Sequence, residues 1–182
     1  MTRLRTRALA IRVLALIAVG AATAVVVVPA VATPPSGVTN PPWSPVIGRF
    51  NGIHTAAKAD VDPGPKQDFW RARINVKGAT DVHILENIIA PNGTFGWHSH
   101  PGPSLVIVKS GTLSVYMPPS CKPENYGPGS PLGSTFVDGG HDLHMVRNNG
   151  TVTADVYVVS IIPAGFDRRI DEPNPNPSIC PN

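Results

Sequence analysis

The chain has 182 residues, 42% hydrophobic, 15% charged and 6% aromatic, with 21 prolines, 17 glycines and 2 cysteines. This excludes a collagen, a coiled coil and a disulfide-dense mini-protein, and the chain is too apolar to be disordered throughout. The formal charge of +3 belongs to the N-terminus: of 15 Lys+Arg, Arg3, Arg5, Arg7 and Arg12 fall in residues 1–32, which hold no acid, leaving 11 basic against 12 acidic groups in residues 33–182. That body has no basic patch of the kind a nucleic acid needs. One domain is expected at this length, and the prolines argue against a helix bundle because proline breaks helix interiors.

Residues 1–32 read as an export signal or a membrane anchor. Four arginines precede an uncharged run over residues 13–32, which closes with the small-x-small pattern Ala30-Val31-Ala32. An uncleaved anchor is the alternative, since such a run is long enough to span a bilayer. The cleavage pattern and Pro34-Pro35 after it favour cleavage near Thr33. Either way the positive residues stay inside and the body lies outside the cytoplasm. The expected location is extracellular or the cell envelope, on the outer face of the cytoplasmic membrane if the segment stays. Membrane contact is expected only through that segment. No arginine pair precedes the run, which speaks for export unfolded and metal loading afterwards.

Residues 33–68 read as a Pro-rich linker and N-terminal arm, extended over 33–45 and ambiguous over 46–68. From Phe69 apolar and polar residues alternate, and residues 69–163 read as the folded body. Strands are expected over 69–76, 81–90, 94–100, 104–109, 112–117, 134–137, 141–147 and 151–162. Pro91-Asn92-Gly93 is read as ending the second, and Asn148-Asn149-Gly150 as a hairpin turn. Residues 118–133 read as a loop and 164–182 as a Pro-rich extended tail. Short strands with turns at this spacing predict an all-β sandwich or barrel. In an oxidising compartment Cys121 and Cys180 are expected to form a disulfide; two free thiols are the alternative.

The chemistry lies in the histidines. His98 and His100 occur in Gly-Trp-His-Ser-His on an expected strand, where a spacing of two puts both rings on one face. His141 and His144 occur in Gly-Gly-His-Asp-Leu-His, where a spacing of three splits the faces, so one of them is expected to join the first pair. Two imidazoles on one face and a third from elsewhere can share one metal ion.

These residues resemble the two motifs of the cupin superfamily, in its single-domain form. The first motif runs Gly, spacer, His-x-His, spacer, Glu, six residues, Gly; here Gly93, His98, His100, Ser104 and Gly111 take those places. The second ends His, three residues, Asn; here His144 and Asn148. The resemblance covers about residues 69–163. It implies a double-sheet jelly-roll barrel with His98, His100 and His144 converging inside on a divalent metal, iron, zinc, nickel or copper ahead of manganese. Gly93 lies one place nearer the histidines than in the family, and Gly139-Gly140-His141 replaces its Pro-x-Gly. Ser104 stands where the family places a ligand glutamate. A three-histidine site without that carboxylate resembles the neutral iron sites of thiol and diketone dioxygenase cupins. This implies a dioxygenase-like oxidoreductase acting on a small anionic substrate. The alternatives are a non-catalytic cupin that binds a small molecule or metal at the envelope, and a barrel that serves only to form a homodimer.

His141 is read as a fourth ligand, a group behind the ligands, or a loop histidine without a role, and Ser104 as a group beside the metal. Glu86 and Glu124 are candidates for the missing carboxylate, although a solvated glutamate explains each. His83 reads as a core histidine, and Phe95 and Trp97 as packing.

Overall fold

A computed structural model describes residues 31–60 and 69–182, and among these the chain forms twelve strands and no helix. They are β1 (Ser36–Thr39), β2 (Val46–Phe50), β3 (Ile53–Asp60), β4 (Phe69–Val76), β5 (Thr80–Ser99), β6 (Ser104–Ser110), β7 (Leu113–Tyr116), β8 (Glu124–Tyr126), β9 (Thr135–Asp138), β10 (His144–Arg147), β11 (Ala154–Pro163) and β12 (Ile170–Asp171). The period-two pattern decides which face each strand buries. In β6, Ser104, Val106 and Val108 are buried while Leu105, Ile107 and Lys109 are exposed. In β11, Ala154, Val156, Val158, Ser160 and Ile162 are buried and alternate with half-buried residues.

β5 is the spine. Its first half pairs with β2 and β11, its second half with β10 and β12, and β1 lies across its middle. The order β8-β7-β10-β5-β11-β6-β9 therefore folds along β5 into two facing layers, a nearly closed jelly-roll barrel. Leu85, Ile89, Val108, Leu113, Val115 and Val156 are among the residues that fill the space between the layers. A second cluster, Trp97, Tyr116, Met145, Cys121 and Cys180, lies away from that core. Cys121 and Cys180 are joined as a disulfide.

Several sequence expectations change once the pairing is known. Pro91-Asn92-Gly93 does not end a strand: β5 runs through it, with Asn92 in the left-handed region at φ 63°. Asn148-Asn149-Gly150 is not a hairpin turn. β10 lies between β5 and β7 and β11 between β5 and β6, so this segment crosses from one layer to the other. The fully buried Asn148 holds the crossing. Its Nδ2 donates to Ile89 O (3.0 Å) and Val152 O (2.8 Å), and its Oδ1 accepts from the Gly150 N–H (2.9 Å). Its side chain supplies bonds to loop backbone that a hairpin ladder would otherwise supply. Residue 111 must be glycine for a similar reason: at φ 75° a Cβ there would stand 2.7 Å from Ala154 Cα.

The segment read as a linker contains β1, and the ambiguous stretch contains β2, both laid along β5. Asn40 and Ser44 explain the docking. Asn40 Nδ2 donates to Glu86 O at 2.8 Å, and Ser44 Oγ accepts from the Glu86 N–H at 3.0 Å. β4, expected as the first barrel strand, pairs with β3 in a separate two-stranded ribbon. The expected loop 118–133 contains β8, paired to β7. The tail is fastened at several points: β12 pairs with β5 at His98 and Ser99, and Trp97 Nε1 donates to Pro181 O at 2.9 Å. The expected signal or anchor lies, up to residue 30, outside the described residues. Just after it, Thr33 is bound to the body: its N–H donates to Glu172 O, and its Oγ1 accepts from the Trp97 N–H at 2.6 Å.

Candidate metal centre

The end of β5 and the start of β10 bring the histidines together. His98 lies near the end of β5 and His100 directly follows the strand, and His144 is the cross-strand partner of His98. The ring centroids are 4.3 Å apart for His98–His144, 4.9 Å for His98–His100 and 5.3 Å for His100–His144. One ring nitrogen from each lies within 4.8 Å of the others, and all three residues are buried. His141 stays outside this group. It is exposed, at φ 61°, and its contribution is a backbone N–H donated to His100 O at 2.7 Å. It is not one of the three residues whose ring nitrogens converge, and its link to them is that backbone bond.

A backbone carbonyl fixes each ring. Nδ1–H of His98 donates to Gly96 O (2.8 Å), that of His144 to Asp142 O (2.9 Å) and that of His100 to Arg168 O (2.6 Å). A carbonyl can only accept, so each Nδ1 carries the proton and each Nε2 keeps its lone pair. Such outer bonds set the tautomer and orientation that metal-binding histidines need.

Electrostatics favours the neutral rings. Burial pushes His98 well below the ordinary imidazole value, and charge on His144 and Arg169 adds to this. Burial lowers His100 to about 4, helped by Arg168 and His144 and opposed by its own carbonyl bond and by Asp138. Neutral imidazole is the ligand form.

The three rings open on a cavity of about 40 Å³, walled in part by Phe95, Val106, Leu113 and Val158. Ser104 is in its wall, in phase with Val106, and shares a hydrogen bond with Ser160 Oγ at 2.8 Å. Glu86 and Glu124 are elsewhere: Glu86 lies 3.5 Å from Lys109 Nζ, and Glu124 accepts from the Tyr126 hydroxyl. His83 is half-buried, its pKa lowered by burial and then by Arg168.

Sequence reasoning missed two cavity residues. Asp138, at the end of β9, is buried, with Oδ2 3.6 Å from His100 Nε2. Arg168, from the tail, also lines the cavity, and burial followed by the charge of Arg169 lowers its guanidinium to about 10. Neither lies in a motif. Only strand pairing and tail docking bring them to the histidines.

No known family profile matches the chain, and no curated protein does. Solved structures similar to it include cupin superfamily proteins. An uncharacterized conserved protein with a double-stranded beta-helix domain from Klebsiella pneumoniae is 12% identical, with 68% of this chain and 86% of that one covered and a TM-score of 0.42. A cupin superfamily protein from Desulfitobacterium hafniense is 14% identical, with 44% and 67% covered and a TM-score of 0.38. An oxalate oxidase is 25% identical, with 53% of each chain covered and a TM-score of 0.37.

Proposed function

We propose that this chain is an exported barrel protein that holds one divalent first-row metal ion on His98, His100 and His144 and acts as a dioxygenase-like oxidoreductase on a small anionic substrate. The observation that carries the reading is the set of three buried rings, each with Nδ1–H bonded to a backbone carbonyl and Nε2 left free. Three neutral nitrogens suit iron, zinc, nickel or copper better than manganese. Bound there, such an ion would supply Lewis acidity and, if iron or copper, electron transfer.

The remaining work falls to the chain. Arg168 presents a cation at the cavity, a partner for a carboxylate or another anionic head. The apolar wall of Phe95, Val106, Leu113 and Val158 keeps bulk water from the rings and strengthens that attraction. A cavity of about 40 Å³ has room for an ion and a few water-sized groups, so only a small molecule or the end of one fits. The same narrowness favours the second reading, a non-catalytic module that binds metal and a small anion. The disulfide is consistent with export.

The test is elemental analysis of the full chain purified from the exported fraction, followed by oxygen-consumption measurements with small bidentate anions. One metal ion per chain with substrate-dependent oxygen uptake supports the enzyme. One metal ion without uptake supports the binding module, and protein that takes up no metal overturns both.

A further inference from the structure

The cavity contains a carboxylate that the histidine motifs do not account for. Asp138 closes β9, and its cross-strand partner on β6 is Ser104, the residue at the site of the missing glutamate. Asp138 is 4% exposed. Its Oδ1 accepts from the Gly140 N–H at 3.0 Å, whereas Oδ2 is buried without a hydrogen-bond partner and lies 3.6 Å from His100 Nε2. The tautomer of His100 is fixed, because its Nδ1–H is committed to Arg168 O. Its Nε2 is therefore a bare lone pair facing a bare carboxylate oxygen. Two acceptors confronted in a buried cavity repel, and an unpaired buried carboxylate oxygen is costly. A hydrogen bond would not settle the matter at 3.6 Å, which is beyond the usual range. A cation bound by both atoms would. Bond lengths of about 2.1 Å at a tetrahedral angle put two ligand atoms about 3.4 Å apart, within a few tenths of an ångström of the separation from His100; the carboxylate lies outside the 4.8 Å group formed by the three rings, so it turns toward His98 and His144 when an ion binds.

We propose that Asp138 Oδ2 is the fourth protein ligand of the metal site, so that the carboxylate comes from β9 rather than from the strand that carries Ser104. This rests on the metal-binding reading above and changes its charge: three imidazoles and one carboxylate leave a divalent ion a net 1+ instead of 2+. Anion recognition then falls more to Arg168, and the added oxygen ligand makes manganese and iron better guests than three nitrogens alone would.

Cobalt(II) titration of the full chain tests this, read by dissociation constant and by the visible absorption spectrum, which reports coordination. The wild type binds one cobalt ion. Asp138→Asn weakens binding at least tenfold and changes the spectrum. Adding Ser104→Glu to Asp138→Asn, which returns a carboxylate from the neighbouring strand, recovers most of the affinity. Glu124→Gln, an exposed carboxylate on β8, changes nothing. Without metal, Asp138→Asn melts at or above the wild-type temperature, because it removes an unpaired buried charge; a purely structural role would lower it. Should Asp138→Asn not fold, Asp138→Glu keeps the charge and is expected to bind cobalt with an altered spectrum. Wild-type binding with unchanged affinity and spectrum in Asp138→Asn, or an unchanged spectrum in Asp138→Glu, overturns the proposal and leaves the three-histidine site standing. Failure of the wild type to bind cobalt overturns the metal reading itself.

Discussion

His98, His100 and His144 each spend one nitrogen on the backbone and keep the other, and this division sets what their replacement does. His98→Ala, His100→Ala and His144→Ala should each cut metal content of the purified protein sharply, whereas His141→Ala should leave it near the wild-type level. A result in which His141→Ala strips the metal would contradict the exposed placement of that ring. Acid should weaken the metal-free fold. In the folded state His100 is depressed to about 4 from an ordinary 6.5, and burial also holds His98 well below the ordinary value. Below about pH 6.5 the unfolded chain takes up protons that the folded chain refuses, so stability falls as pH falls from there toward 4. Urea midpoints of metal-free protein should be lower at pH 5 than at pH 7, and equal midpoints would contradict buried neutral rings. Free histidines would let protons compete with a metal below about pH 6; burial moves that onset lower. The histidines were legible because spacing on a strand decides which face a ring takes. Asp138 and Arg168 were not, because nothing local in the sequence records which strand or tail they meet.

At the level of elements, alternation located most strands and none of their partners. Residues 69–76 form β4 as expected, yet they make a ribbon with β3 rather than the barrel wall, since a period of two says that a face is buried and not against what. Asn-Asn-Gly shows the same limit: the turn chemistry was real, but it served a crossing between layers. Asn148 is therefore more than a turn residue. Asn148→Ala would leave the carbonyls of Ile89 and Val152 and the Gly150 N–H without their partner. The expected loss is about 2–4 kcal/mol, from two or more buried polar groups left unsatisfied, read from urea or guanidinium unfolding. Asn148→Asp, which keeps the acceptor and loses the donor, should fall between Asn148→Ala and the wild type.

For the whole molecule, the two layers differ in how their outer faces are finished. The β7–β10 face lies next to the cluster of Trp97, Tyr116 and Met145, which includes the disulfide. The face of β6 and β9 is bare, with Leu105, Ile107 and Val137 exposed. The Cys121–Cys180 bridge spans a sequence separation of 59 residues, and its loss is expected to cost about 4 kcal/mol in the chain-entropy model. Cys121→Ser and Cys180→Ser should lower the melting temperature alike, and the double variant should add little to either. The pairing was legible in the sequence because only two cysteines are present and an oxidising compartment was expected. The role of the tail was not, because a run of prolines signals extended chain without saying what it lies against.

That tail also imposes an order of events on biosynthesis. The carbonyl that orients His100 belongs to Arg168, 68 residues further along the chain. A ribosome that has finished the His-x-His motif and even β11 has not yet made the group that points the second imidazole. Maturation should thus run in one direction: synthesis of the last residues, closure of the bridge that holds them, and only then tight capture of the ion. Protein ended after residue 163 should keep His98 and His144 anchored, leave His100 free to turn, and bind cobalt more weakly than the full chain. Reduced full-length protein should fall between the two, recovering on reoxidation.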